Sequence, residues 1–255
     1  MASATFRIWR GDANGGALRD YETEVTEGMV VLDAIHSIQA ESAHDLGIRW
    51  NCKAGKCGSC SAEVNGKPSL LCMTRLSTLP IERPVTVEPM KAFPIIRDLV
   101  TDVSWNFRVK KQIRPFKPRP PDGPDGGWRM NQADVGRVQE FRKCIECFLC
   151  QDVCHVLREH SLHEEFAGPR HFVHVAALEM HPLDVEDRSE ELKNARGIGF
   201  CNITKCCTHV CPEDIKITDN AIIPLKERVA DEFYDPSKKL FLIFSVSSKR
   251  GSSES

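Results

Sequence analysis

The sequence has no apolar run near the roughly 20 residues needed to cross a bilayer. The longest conspicuous one, Leu240–Val246, is far too short. It also lacks an apolar signal core and an Arg-rich transit helix at Met1–Ile8, which passes directly into an alternating strand pattern. Charge of one sign is missing too: the formal net charge is -2, which gives no pull toward nucleic acid. These absences set the expectation of a reducing, cytoplasmic setting in which any membrane association is made through a partner.

What is abundant is cysteine. Twelve occur in 255 residues, grouped in three clusters rather than scattered as a disulfide framework would be. In a reducing compartment, grouped cysteines bind metal more often than they pair. The length allows two ordinary domains, and 41% hydrophobic with 27% charged residues is a globular composition.

The first run to carry chemistry is Cys144-Ile-Glu-Cys147-Phe-Leu-Cys150-Gln-Asp-Val-Cys154, with gaps of two, two and three residues. Three thiolates on such a loop converge on three corners of a cubane, and the fourth, one helical turn on, points to a second cluster, as in bacterial two-cluster ferredoxins. A second run, Cys201-Asn-Ile-Thr204-Lys-Cys206-Cys207-Thr-His-Val-Cys211-Pro, overlays the first through Cys201, Cys207 and Cys211, with Thr204 where the first has Cys147. If the fourth cysteine of each run crosses over, Cys144, Cys147, Cys150 and Cys211 form a [4Fe–4S] set. Cys154, Cys201 and Cys207 are then three thiolates beside a threonine, suited to [3Fe–4S]. Cys206 is left over, either as a small buried residue or as a fourth ligand that would displace the [3Fe–4S] assignment.

Nearer the start, Cys52, Cys57, Cys60 and Cys72 follow gaps of four, two and eleven residues, the plant-type [2Fe–2S] pattern. A zinc site would more usually show two paired C-x2-C knuckles. Gly55 and Gly58 fit a loop whose backbone N–H groups must turn toward sulfur, which often needs positive φ.

Around these runs, residues 5–10 and 20–25 alternate about a turn at 12–16 and read as a hairpin. Val31, Leu32, Ile35 and Ile38 share a helical face. Strands are expected at 61–64, 69–72 and 85–88, the last closing the sheet, and a connecting helix is expected to start over Phe93–Val100. The Pro- and Gly-rich span 115–127 can hold neither helix nor central strand. Arg108, Lys110, Lys111, Arg114, Lys117 and Arg119 near it either dock an acidic surface or belong to a solvated connector. Beyond Gln132 the pattern is helical, with Val135, Val138 and Phe141 on one face, a capped helix from Asp187, and another over Ile222–Phe233.

Together the plant-type loop, the linker and two bacterial-type runs, the second lacking one ligand, resemble the iron–sulfur subunit of succinate dehydrogenase or fumarate reductase, over about residues 4–234. The resemblance implies an α+β chain with a β-grasp plant-type ferredoxin domain in 1–104 and a linker with an α-helical bacterial-type ferredoxin domain in 105–255. It implies electron transfer from the FAD of a flavoprotein partner through [2Fe–2S], [4Fe–4S] and [3Fe–4S] to quinone at one or more membrane-anchor subunits. The chain would be peripheral, on the cytoplasmic face of a bacterial inner membrane, with no substrate site of its own. Quinol:fumarate reductase, another flavin-dependent dehydrogenase and a disulfide-reducing complex remain alternatives. Where the family usually has proline, tryptophan and histidine, this sequence has His155, Glu159 and Asn202. The usual quinone contacts are absent, which favours menaquinone, a displaced site or a further redox group in the anchor. His155 is a candidate for proton delivery or a plain surface histidine.

Overall fold

Alternation builds the first element of the computed structural model, which describes residues 2–236. In β1 (Ala2–Asp12) the side chains of Ala4, Phe6 and Ile8 point into the core. A two-residue turn at Ala13-Asn14 joins it to antiparallel β2 (Gly15–Val25), and Asp12 Oδ1 accepts the Asn14 N–H at 2.8 Å. Helix α1 (Val31–Glu41) then buries the predicted face, Val31, Leu32, Ile35 and Ile38, against the sheet. Each such side chain contributes about 1.5–3 kcal/mol of hydrophobic stabilisation.

β3 (Ser61–Val64) and β4 (Lys67–Leu70) form a second hairpin around Asn65-Gly66. β5 (Val85–Glu88) pairs with β3 and runs parallel to β1, with Phe6 opposite Val85 and Ile8 opposite Val87. The sheet does not end there. Where the sequence led us to expect a helix starting over Phe93–Val100, the chain forms β6 (Ile95–Arg97) and β7 (Val100–Thr101), and β6 joins β1 at Asp12.

The cause is Asp98, which has φ 50° and is buried. Its carboxylate accepts the N–H groups of Gly11 at 3.0 Å and Gly47 at 2.7 Å, and pairs with Arg10 at 3.0 Å. These long-range bonds favour a left-handed turn over a helix. The connecting helix α2 (Ser104–Lys111) starts only after Asp102 Oδ1 has accepted the Ser104 N–H at 2.8 Å.

From there the described chain is helical: α3 (Gln132–Gln139), α4 (Leu149–Asp152), α5 (His155–Arg158), α6 (Pro169–Glu179), α7 (Ser189–Asn194), α8 (Cys206–His209), a π turn (Ile217–Ile222) and α9 (Ile223–Phe233). Among the described residues, the one bridge after β7 joins Pro118 to Asp184. The apolar run Leu240–Val246 lies outside the described residues.

The Pro-rich connector is held by backbone bonds to the loop after α6: Arg119 N–H to Leu183 O at 2.8 Å, and Val185 N–H to Lys117 O at 3.0 Å. Buried Arg188 donates to the carbonyls of Arg114 and Pro115, and pairs with Glu179 at 3.0 Å and Asp184 at 2.9 Å. Three of the six cations named as a possible docking patch find acidic partners within the chain. Lys110 pairs with Glu146, Arg114 with Glu186, and Arg119 with Asp122.

Two hydrophobic cores result, and each takes residues from the other's part of the chain. Cys147 and Leu149 pack in the sheet core, while Met90, Ala92 and Phe93 pack among the helices. Fully buried Glu63 of β3 is paired with Arg158 of α5 and, at 3.3 Å, with Lys91. Asp152 Oδ1 accepts the Ala92 N–H at 3.0 Å. Burial, with the adjoining Glu63 adding to it, pushes the Asp152 carboxyl up to about 7 against the lowering effect of the Ala92 N–H and Arg158.

Arg188→Leu strands buried Asp184 without its cation and leaves buried Glu179 with only Arg228, at 3.1 Å, and should cost about 3–5 kcal/mol. A thermal midpoint by circular dichroism equal to that of the unsubstituted protein would contradict this account of the connector.

Candidate metal centres

The first group has Cys52, Cys57 and Cys60 on the loop between α1 and β3, and Cys72 just after β4. The backbone turns left-handed at Lys53, Gly55 and Gly58, with φ 55°, 67° and 67°. The two glycines are therefore used as expected. These turns aim amides at sulfur: Ala54 and Lys56 N–H donate to Cys52 Sγ at 3.4 and 3.3 Å, and Ser59 N–H to Cys57 Sγ at 3.5 Å. Burial opposes ionisation of Cys57, but hydrogen bonds from Ser59 and Cys52 bring its thiol down to about 6. Burial pushes Cys60 up to about 12, with the adjoining Cys72 adding to the rise.

The second group joins both later runs. Cys144, Cys147, Cys150 and Cys211 line one cavity with Arg170, Phe148 and Ile217. Burial raises all four thiols, Cys147 to about 12; neighbouring cysteines add to the rise at Cys144, Cys147 and Cys150, and Asp214 and Glu213 add to it at Cys211. Backbone N–H groups oppose this: Glu146 donates to Cys144, Leu149 to Cys147, and Glu213 and Ile215 to Cys211.

In the third group, burial pushes Cys154 up to about 12 and Cys207 to about 11, and Cys201 adds to the rise at Cys207. Cys206 is half-buried and adjoins Cys154 and Cys207, with Sγ 3.2 Å from Thr204 Oγ1. Its partial exposure departs from the first of its two readings, a small buried residue.

The two runs repeat each other in backbone as well as in sequence. Glu146 and Phe148 flank Cys147 at φ 55° and 63°, and Ile203 and Lys205 flank Thr204 at φ 63° and 63°. None is glycine, and a β-branched residue such as Ile203 rarely adopts this conformation. α4 and α8 start directly after these left-handed residues, so Thr204 occupies the place of Cys147 in the repeat.

The donor set fits iron–sulfur clusters. Each group gathers soft thiols with N–H donors to their sulfurs, as an anionic cluster requires. The second cavity adds Arg170, which is 2% exposed and has Nε without an acceptor. Among the described residues it pairs with Glu146, at 2.6 Å. An unsatisfied buried guanidinium N–H is costly unless an anion completes it. Among the described residues, no three His, Cys, Asp or Glu side chains converge as a single metal ion requires. Arg170 escaped the sequence reading because nothing in its local pattern marks it as facing the cysteines.

The second group neighbours both of the others. A Cβ on Gly58 would lie 2.6 Å from Cys147 Cα, and Ser61 Oγ donates to Cys147 O at 2.8 Å, so the first loop rests on the second group. Cys150 of the second group in turn senses Cys207 of the third. His155 adjoins the third group, with its ring 6.4 Å from that of His160, and Glu159 and Asn202 are exposed.

Two family models match. A 2Fe-2S iron-sulfur cluster binding domain covers residues 5–108, and a 4Fe-4S dicluster domain covers 140–215. The fumarate reductase iron-sulfur subunit of Mycobacterium tuberculosis is 34% identical over 202 residues, covering 76% of this chain and 79% of that relative. The succinate dehydrogenase iron-sulfur subunit of Bacillus subtilis is 29% identical over 228 residues, covering 84% and 87%. A chain in the structure of the Mycobacterium smegmatis Sdh1 complex in the apo form superposes with a TM-score of 0.88 at 60% identity, covering 92% of this chain and 98% of that one.

Gly55→Ala and Gly58→Ala should separate two costs. Both place a side chain in a left-handed turn, about 1 kcal/mol, but at Gly55 the new methyl meets the flexible Met73 side chain, and at Gly58 it meets Cys147 backbone. We expect Gly58→Ala to lose more bound iron and thermal stability than Gly55→Ala; equal losses would contradict the close approach.

Proposed function

The chain belongs to the family of succinate dehydrogenase and fumarate reductase iron–sulfur subunits, and from that premise we propose that it is the electron-transfer subunit of a membrane-bound succinate:quinone oxidoreductase. When bound, its clusters supply one-electron carriage between a flavoprotein's FAD and quinone at a membrane anchor. The observation that carries this reading is the succession of three thiol groups, the first touching the second through Gly58 and the second adjoining the third through Cys150 and Cys207.

We assign Cys52, Cys57, Cys60 and Cys72 to [2Fe–2S], Cys144, Cys147, Cys150 and Cys211 to [4Fe–4S], and Cys154, Cys201 and Cys207 to [3Fe–4S], with Thr204 at the open corner. The division falls at residue 104, with a plant-type ferredoxin domain before it and a bacterial-type one, preceded by its linker, after it. The chain's residues hold the thiolates, aim amides at them and screen them from water. No substrate site for succinate is assigned to this chain.

Partner contacts follow the ends of the line. Exposed Trp50 and Met73 border the first group and support a flavoprotein face there. Phe200 and Ile203, exposed on either side of Cys201, support an anchor face at the third. Among the described residues no helix is long and apolar enough to cross a membrane. We place the chain peripherally, on the cytoplasmic face of a bacterial inner membrane. Its departures at His155, Glu159 and Asn202 favour menaquinone, a displaced quinone site or a further redox group in the anchor.

Anaerobically purified complex should contain about nine irons per copy of this chain, with an oxidised [3Fe–4S] signal in electron paramagnetic resonance. Thr204→Cys should convert that signal toward [4Fe–4S] and lower the potential. A colourless zinc protein would sink the cluster reading, and an unchanged signal in Thr204→Cys would overturn the place given to Thr204.

A further inference from the structure

The ligand sets leave one buried hydroxyl at the third group unexplained. Thr218, in the π turn, is 1% exposed, and its Oγ1 lies 3.4 Å from Cys207 Sγ. Thr208 donates its hydroxyl to Thr218 Oγ1 at 3.2 Å, while the Thr218 N–H donates to Thr208 Oγ1 at 3.0 Å. A hydroxyl has one proton to give. That of Thr208 is committed to Thr218, so the proton of Thr218 is directed at sulfur. A cysteine sulfur bound to iron has no proton of its own, and the donor in this pair is then Thr218.

We propose that Thr218 is a positioning residue that donates a hydrogen bond to the Cys207 sulfur and thereby raises the reduction potential of the third cluster. The inference rests on the ligand assignment made above. Its physical basis is that reduction adds negative charge which spreads onto the coordinating sulfurs. A donor already aimed at one of them binds the reduced form more strongly than the oxidised form, and hydrogen bonding to cluster sulfur is one of the terms that set the potential.

The surrounding chain fixes that donor in place. Lys205, the left-handed residue before α8, pairs with Asp219 at 2.6 Å across to the π turn. Glu140 accepts the Lys216 N–H at 2.6 Å and the Asn220 side-chain amide at 2.5 Å. Residues on either side of Thr218 are thus tied to two other elements, and its hydroxyl is held without having to reorganise on reduction. π turns often occur at functional sites, and this one presents a hydroxyl to a ligand sulfur at the end of the line assigned as the electron exit.

The test is a redox titration of the third cluster's oxidised resonance signal in the intact complex, comparing Thr218→Val, Thr218→Ala and Thr218→Ser. Losing the hydroxyl should shift the oxidised-to-reduced ratio at a fixed potential about tenfold toward oxidised, which for a one-electron couple is a midpoint about 59 mV lower. Thr218→Ser should restore the original midpoint, and the other two clusters should titrate unchanged in all three variants. Thr218→Ala removes the hydroxyl without adding bulk beside Thr208, and decides the matter if Thr218→Val does not assemble. A complex with full iron content and an unmoved midpoint in either hydroxyl-free variant overturns the proposal, as does a serine variant that falls as far as the alanine one. Absence of any [3Fe–4S] signal from the unsubstituted complex would instead overturn the ligand assignment beneath it.

Discussion

Aiming backbone N–H groups at cysteine sulfurs is the constraint from which the rest of this structure follows. An amide can face a sulfur two residues behind it only if the chain between them turns tightly; the first two loops do so through left-handed residues, and the third repeats their left-handed conformation around Thr204. At Gly55 and Gly58 that conformation costs little. At Glu146, Phe148, Ile203 and Lys205 it opposes the intrinsic preference of L-residues by about 1–2 kcal/mol each. Such strain persists where the surroundings over-determine it. The surroundings here are a buried thiol on each loop, short helices that begin directly afterwards, and ion pairs from Glu146 and Lys205 to neighbouring elements.

The same constraint joins the two halves of the chain. Because Cys211 lines the cavity of the first run and Cys154 adjoins Cys207 of the second, neither run is complete alone. The sheet half is drawn in by Gly58, whose lack of a side chain lets its loop reach the Cys147 backbone, and by the buried Glu63–Arg158 pair. A buried ion pair is weak grounds for stability but penalises mispairing strongly. Its placement between β3 and α5 serves to fix how the halves meet, and with it the spacing between thiol groups.

Much of this was legible in the sequence because the governing signals are local. Cysteine spacing marked all three groups, the gap at Thr204 was visible by overlaying the runs, and the apolar periodicities of β1 and α1 mapped directly onto buried faces. What was not legible depends on residues far apart in the chain. The apolar pattern of Phe93–Val100 suits a helix or two short strands, and the choice is made by Asp98 through partners 51 and 87 residues away. Nothing in the local sequence marks Arg188 or Arg170, yet one secures the connector and the other faces the second cavity. Thr218 likewise has no motif; only the π turn brings it to Cys207.

The crossing of ligands between the runs is the central claim, and replacing Cys211 by serine tests it most directly. Cys211 belongs to the second run in sequence but to the first run's cavity in space. Cluster-resolved resonance spectroscopy of the Cys211→Ser complex should show the [4Fe–4S] signal altered or lost first, with any remaining assembled material retaining the [3Fe–4S] signal. A variant that loses only the [3Fe–4S] signal while keeping an unperturbed [4Fe–4S] signal would contradict the account, because each run would then ligate its own cluster.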